Sequence, residues 1–269
     1  MKTAKACVVA ATALLAALAL AAAACGKSDG GSATTGGEQS GVVLTVEQAL
    51  AAEPGQELNV QGAVFFTAKE VVLASAVMES YPPQPGGATL TVEGLEPEAL
   101  VGLSSTAGEP GLVQVTWSDY PVVLRGVVED GVLEVTGTPR ISERTTAGVT
   151  VRFSPVSEPV RSEEPVWWAF DVASTGDRPV VLTFSSGQRG EVVLSRAGAE
   201  EYRWSSGKAF TEAIETVTVE PGETFAVVLN DTMTAGPGDY ELTAKVTASA
   251  GAGGQVAPLP SLTMTLTVR

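Results

Sequence analysis

From Val149 onward, apolar and polar residues alternate with a period of two. Tyr240, Leu242, Ala244 and Val246 fall on one side, with Glu241, Thr243, Lys245 and Thr247 on the other. Leu262, Met264, Leu266 and Val268 alternate with Thr263, Thr265 and Thr267, and Val149, Val151 and Phe153 with Thr150, Arg152 and Ser154. This spacing predicts half-buried antiparallel strands. Further β-branched runs near 166–173, 179–185, 191–195, 215–219 and 223–230 bring the expected strands to about eight, an antiparallel Ig-like β-sandwich over 148–269. The run SAGAGGQVAPLPS at 249–261 reads as a mobile loop before the last strand.

Upstream, the pattern is shorter and more punctuated. Thr45 with Gln48 three residues on is a capping box opening a short helix, which Pro54-Gly55 stops. Strands are expected at 57–67, 70–75, 88–94, 112–117, 121–128 and 132–136, with Asp130-Gly131 as a hairpin turn. One helix and five or six strands predict a small barrel over 42–137. Residues 138–147, with charges, Thr, Pro and Gly but little periodicity, read as a linker. The overall expectation is an all-β chain of two domains.

The N-terminus has a different pattern: Lys2 and Lys5, then an uncharged apolar run from Cys7 to Ala24. This predicts an export signal at 1–24. Its end, Ala22-Ala23-Ala24-Cys25, resembles the bacterial lipobox, with Ala22 in place of the usual Leu. The resemblance implies cleavage before Cys25, lipidation of Cys25 by acyl chains such as palmitate, and a lipid anchor on the extracytoplasmic face of the cell membrane. An uncleaved transmembrane helix is the other reading of the run. Residues 26–41 are Gly/Ser/Thr-rich and read as a flexible tether, so that 25–41 is the lipidated Cys and its spacer.

Composition then narrows the chemistry. The chain has no His, which excludes Ser-His-Asp and Cys-His nucleophile activation and an HExxH zinc site. Its two Cys are Cys7 and Cys25, leaving no thiol for a disulfide or a metal in the globular part. The net charge of −15 becomes −17 once Lys2 and Lys5 are removed, which opposes nucleic-acid binding. Glu163-Glu164, Glu200-Glu201 and Glu129-Asp130 are sequence neighbours whose side chains diverge on a strand, so they are not acid/base pairs. No catalytic residue, metal ligand or cofactor motif is assigned.

Two resemblances rest on particular residues. The run from Val72 to Gly87, VLASAVMESYPPQPGG, resembles a segment of OB-fold-like domains in exported proteins of high-GC Gram-positive bacteria. Ala74 and Pro85 stand where that pattern has two cysteines, so the resemblance implies a barrel lacking the disulfide. Tyr81 and Pro82-Pro83 read as a rigid turn or an exposed recognition loop. Leu182-Thr183-Phe184-Ser185-Ser186-Gly187-Gln188, then Tyr202-Arg203-Trp204-Ser205, Gly207-Lys208-Ala209-Phe210 and Pro221-Gly222-Glu223 resemble the intracellular proteinase inhibitor family, BsuPI, over about 150–247. Gly190, Tyr202 and Glu212 depart from its pattern.

Gln188, Arg189, Tyr202, Arg203 and Trp204 are therefore the candidate partner-binding residues, on two turns between strands. The bland reading of the same residues has Trp204 and Phe210 capping the core, Gln188 and Ser205 satisfying buried backbone groups, and Arg203 solvated. One Trp of Trp167-Trp168 must face inward and the other a surface or a domain contact. The resemblance implies a non-enzymatic protein-binding role toward a protease or another envelope protein; as primary side chains, Arg189 or Arg203 suit a trypsin-like pocket and Tyr202 or Leu194 others. An envelope scaffold without inhibitory activity is the alternative, and a carboxylate-based enzyme the third.

Overall fold

Thr45 caps the helix as expected: its hydroxyl accepts from the Gln48 N–H while Gln48 Oε1 accepts from the Thr45 N–H at 2.9 Å. The structure is a computed structural model describing residues 42–252 and 255–269; the export signal, Cys25 and the tether lie outside the described residues. The first elements are β1 (Val43–Thr45), α1 (Val46–Leu50), β2 (Glu57–Thr67), β3 (Val71–Met78), β4 (Gln84–Glu93), β5 (Leu103–Ser105), β6 (Val115–Ser118), β7 (Val122–Glu129) and β8 (Val132–Gly137). Pairing runs β2–β3–β4–β8–β7 and back to β2, with β4 and β8 parallel, which closes a small barrel. Leu58, Val60, Val64, Leu73, Leu90, Leu124 and Leu133 fill it, and α1 adds Val46 and Ala49. Asp130 (φ 49°) and Gly131 (φ 81°) form the expected two-residue turn between β7 and β8.

The pairing register bears on the missing disulfide. Ala74 lies opposite Thr89 and Pro85 opposite Val77, three positions further along β3. At about 3.3 Å per residue that is roughly 10 Å, beyond the reach of about 6.8 Å between the Cα atoms of a disulfide. In this fold the two positions do not form a cysteine pair.

The second half contains β9 (Ser142–Thr146), β10 (Val149–Pro155), β11 (Pro165–Ser174), β12 (Val180–Phe184), β13 (Gly190–Arg196), β14 (Ala199–Arg203), β15 (Glu215–Val219), β16 (Thr224–Thr232), β17 (Gly238–Val246), β18 (Ser249–Ala252), β19 (Gln255–Pro258) and β20 (Leu262–Val268). They form three four-stranded sheets ordered β16-β11-β10-β9, β15-β12-β18-β19 and β14-β13-β17-β20. Phe153, Trp168, Phe170, Phe184, Leu194, Tyr240, Leu242 and Leu266 make their common core, a β-sandwich. The segment read as a mobile loop instead contributes β18 and β19, a hairpin added to β12. Residues 142–146, inside the stretch read as a linker, form β9 on the edge of β10.

β11 is buried on both faces. Trp168, Phe170 and Val172 point into the sandwich, whereas Trp167, Ala169 and Asp171 face the barrel side, where Ala169 and Trp167 pack with the barrel core. Gly102 (φ 81°) is required at this contact, because a Cβ there would lie 2.8 Å from the Ala169 Cβ and 3.2 Å from Val228 Cγ2. Its N–H donates to Asp171 Oδ1 at 2.8 Å. No helix among the described residues is long and apolar enough to cross a membrane.

Candidate functional site

Two connections at one end of the sandwich carry the residues singled out in the sequence. The first runs from β12 to β13 through Gln188 and Arg189, and the second leaves β14 through the turn at residues 204–207. Glu191, at the start of β13, joins them. It is 5% exposed, and its carboxylate accepts from the Ser205 N–H (3.1 Å), Gln188 Nε2 (3.3 Å), Arg203 Nη1 (3.3 Å) and the Ser205 hydroxyl. A buried carboxylate is tolerated only when its lone pairs are filled in this way. Gln188 also donates to the Gly190 carbonyl at 3.1 Å.

Gly190 is where the inhibitor pattern usually has an aromatic. Here a Cβ would sit 3.0 Å from Leu229 Cδ1 and 3.3 Å from Phe170 Cε2, so the core has taken the space.

A second carboxylate, Asp231, faces the 204–207 turn. Lys208 Nζ lies 3.2 Å from Asp231 Oδ2 and 5.0 Å from the centre of the Trp204 ring, a combined ion pair and cation–π contact. The Tyr202 hydroxyl donates to Asp231 Oδ2 at 3.2 Å. Burial, followed by the nearby carboxylates, holds the Tyr202 phenol above its ordinary value, so it stays protonated as this donor. Trp204 Nε1 donates to the Asn230 carbonyl at 3.1 Å, and its ring packs on Phe210 at 5.7 Å.

Four of the five candidate residues thus gather at the two carboxylate groups, in two different capacities, while Arg189 lies against Glu215 and Phe184. Tyr202 (4% exposed) and Trp204 (9% exposed) are core side chains that shape the loops from beneath. Gln188, Arg189 and Arg203 lie nearer the surface and are engaged: Arg203 with Glu200 and Glu191, Arg189 with Glu215 and the face of Phe184 at 4.3 Å. Hydrogen bonding by Arg203 holds the exposed Glu200 carboxyl below its usual range. Glu191 and Asp231, the hubs, were not singled out in the sequence. A lone Glu after a Gly, or an Asp after an Asn, carries no spacing signal.

Residues 155–251 match the model of the family described as intracellular proteinase inhibitor, BsuPI. The matched segment contains the whole cluster, from Phe184 to Asp231. No curated protein matches the chain. Two solved structures of the CARDB domain of a Pyrococcus furiosus protein are similar to it. A solution structure has a TM-score of 0.26 at 18% identity, covering 45% of this chain and 94% of that one. A crystal structure in complex with di-metal ions has a TM-score of 0.23 at 19% identity, covering 40% and 82%. Among the described residues of the present chain, no three Asp, Glu, His or Cys side chains group so as to hold a metal.

One groove lies away from this cluster. It has a volume of about 510 Å³ and is lined by Arg125, Arg140, Arg269, Asn59 and Glu158. Arg125 pairs with Glu57 at 3.4 Å and Arg140 donates twice to Glu158, so two of its guanidiniums are already neutralised. A groove so neutralised offers an anion less than its composition suggests.

Proposed function

We propose that the chain is a non-enzymatic protein-binding module that acts as a proteinase inhibitor, held on the outer face of the cell membrane by lipid on Cys25. The observation that carries the reading is the pair of loops locked on Glu191 within the BsuPI segment. An inhibitor succeeds where a substrate fails because its contact loop is already ordered, so that binding costs little conformational entropy. Four donors on one buried carboxylate supply that order to the end of the sandwich from which a contact loop projects. The family description says intracellular; the basic n-region, apolar run and Cys25 favour export of this copy.

The test uses the chain from residue 26 onward, which keeps the compact unit Glu38–Arg269, titrated into a panel of serine proteases while residual activity and cleavage of the chain are followed. Stoichiometric loss of activity with little cleavage is expected. Full activity of every enzyme would end the inhibitor reading. A scaffold role would then lead, favoured by the exposed Val77, Met78 and Tyr81 at the β3–β4 hairpin tip.

A further inference from the structure

The segment between Phe210 and β15 stands apart from the loops already described. Thr211, Glu212, Ala213, Ile214, Glu215 and Thr216 are consecutive exposed residues, and Ile214 at 76% is the most exposed of the large apolar side chains. An isoleucine left in water on a well-packed sandwich forgoes stabilisation that burial would provide.

The backbone around it is fixed at both ends. Glu215 pairs with Phe184 in the β12–β15 ladder, and the Thr211 carbonyl accepts from the Gly187 N–H at 2.8 Å. The segment therefore continues the line of β15 alongside the chain leaving β12. It takes four steps, Thr211 to Glu215, where its partner takes three, Phe184 to Gly187. Between these two fixed points residues 212–214 lie outside the ladder. Beneath it the support is tight: a Cβ on Gly187 would lie 2.6 Å from Thr211 Oγ1. Phe210 is wedged on Trp204, and Arg189 reaches from the neighbouring connection to Glu215. β15 is also an end strand of its sheet, so among the described residues its outer backbone edge is unpaired there.

We propose that Thr211–Glu215 is the protease-binding loop, entering the cleft of a serine endopeptidase as an added strand with Ile214 in an aliphatic primary pocket. The proposal rests on the inhibitor reading and names its contact residue. Proteases bind chains in extended form through main-chain hydrogen bonds, which an unpaired strand edge can supply. Pocket specificity comes from one side chain, and Ile214 is the large apolar side chain this segment exposes. Arg189, one of the two arginines suited to a trypsin-like pocket, braces Glu215, the residue after Ile214. If the enzyme hydrolyses the Ile214–Glu215 bond, the ladder and Arg189 hold the new amino end, and Phe210 with the Gly187–Thr211 bond holds the other. The cut ends stay in place and the enzyme stays occupied.

The chain from residue 26 onward, with I214D and I214R variants, is assayed against elastase and subtilisin, which accept apolar primary side chains, and against trypsin. Thermal melts confirm that each variant is folded, as expected for substitutions at an exposed position. The expected result is inhibition of elastase or subtilisin, weakened at least about 100-fold (about 2.7 kcal/mol) by I214D, with inhibition of trypsin gained by I214R. Undiminished inhibition by I214D would overturn the loop assignment and leave the inhibitor reading standing. Failure of the unmodified chain to inhibit elastase and subtilisin would overturn the loop assignment; if trypsin and the rest of the serine-protease panel also stayed fully active, the inhibitor reading would fall with it.

Discussion

Glu191 and Arg203 form an ion pair in which the two residues matter unequally. Glu191 is 7% exposed at its side chain and Arg203 40%, so the carboxylate depends on the pair for solvation and the guanidinium does not. E191A would leave the Ser205 N–H, the Gln188 amide and one Arg203 nitrogen without their acceptor. The expected cost is about 1–3 kcal/mol, read as a lowered denaturation midpoint. R203A leaves Glu191 with its Ser205 and Gln188 donors and removes an exposed pair with Glu200, so a cost of at most about 1 kcal/mol is expected. Equal losses in the two variants would show that the cluster is not organised around Glu191. The same asymmetry explains why sequence reading favoured the arginine: cations and indoles advertise themselves, whereas a buried acceptor is recognised only once its donors are placed around it.

Hairpins show where the sequence was informative about whole elements. The β7–β8 turn carries Asp130-Gly131, residues that adopt positive φ readily, and the hairpin was expected. Two others use the same two-residue geometry with a poorer signature: Ala147 (φ 47°) before Gly148 (φ 78°) joins β9 to β10, and Ala197 (φ 51°) before Gly198 (φ 82°) joins β13 to β14. Alanine in the left-handed region is uncommon, so neither turn was expected, and β9 and β14 were missed with them. Both are edge strands whose exposed polar residues conceal the period of two. β18 and β19 escaped because Gly and Pro interrupt them; their pairing with β12 is a long-range contact that local pattern does not encode. For the Asp130-Gly131 turn the expectation is that G131V, which places a branched side chain at φ 81°, costs about 1 kcal/mol or more, while D130G is within a few tenths. A G131V midpoint equal to that of the unmodified chain would mean the turn does not need this geometry.

The strand that ties the molecule together is β11, whose apolar run from Val166 to Ala173 reads as a single-faced strand but is buried on both sides. Its inner face was legible in Trp168 and Phe170. Its outer face was legible only in Trp167, for which a domain contact was one reading; Ala169 and Asp171 acquire meaning only against Gly102, which lies far away in the sequence. Asp171 is the charged member of that contact, 7% exposed, accepting from the Gly102 N–H and 3.5 Å from Arg152, which also pairs with Glu143 and donates to the Glu98 carbonyl. The Tyr120 phenol, protonated at all relevant pH because burial raises it, is the other titratable group beside Asp171. Burial raises the Asp171 pKa above its ordinary 3.8, and the Gly102 and Arg152 contacts only partly oppose it. The folded state therefore binds this proton at a higher pH than the unfolded chain does. Between the raised value and 3.8 the folded form holds more protons, so the Asp171 contribution to stability grows as pH falls through that window and is lost as pH rises through it. Replacing it by D171N removes the titration while keeping the size and an acceptor for Gly102. Denaturation at pH 7, 5 and 4 should then show the unmodified chain gaining on D171N as the pH is lowered, against a common background from the other carboxylates. A difference between the two proteins that stays constant with pH would mean that Asp171 is solvated in the folded state, and that the contact through Gly102 is looser than its geometry indicates.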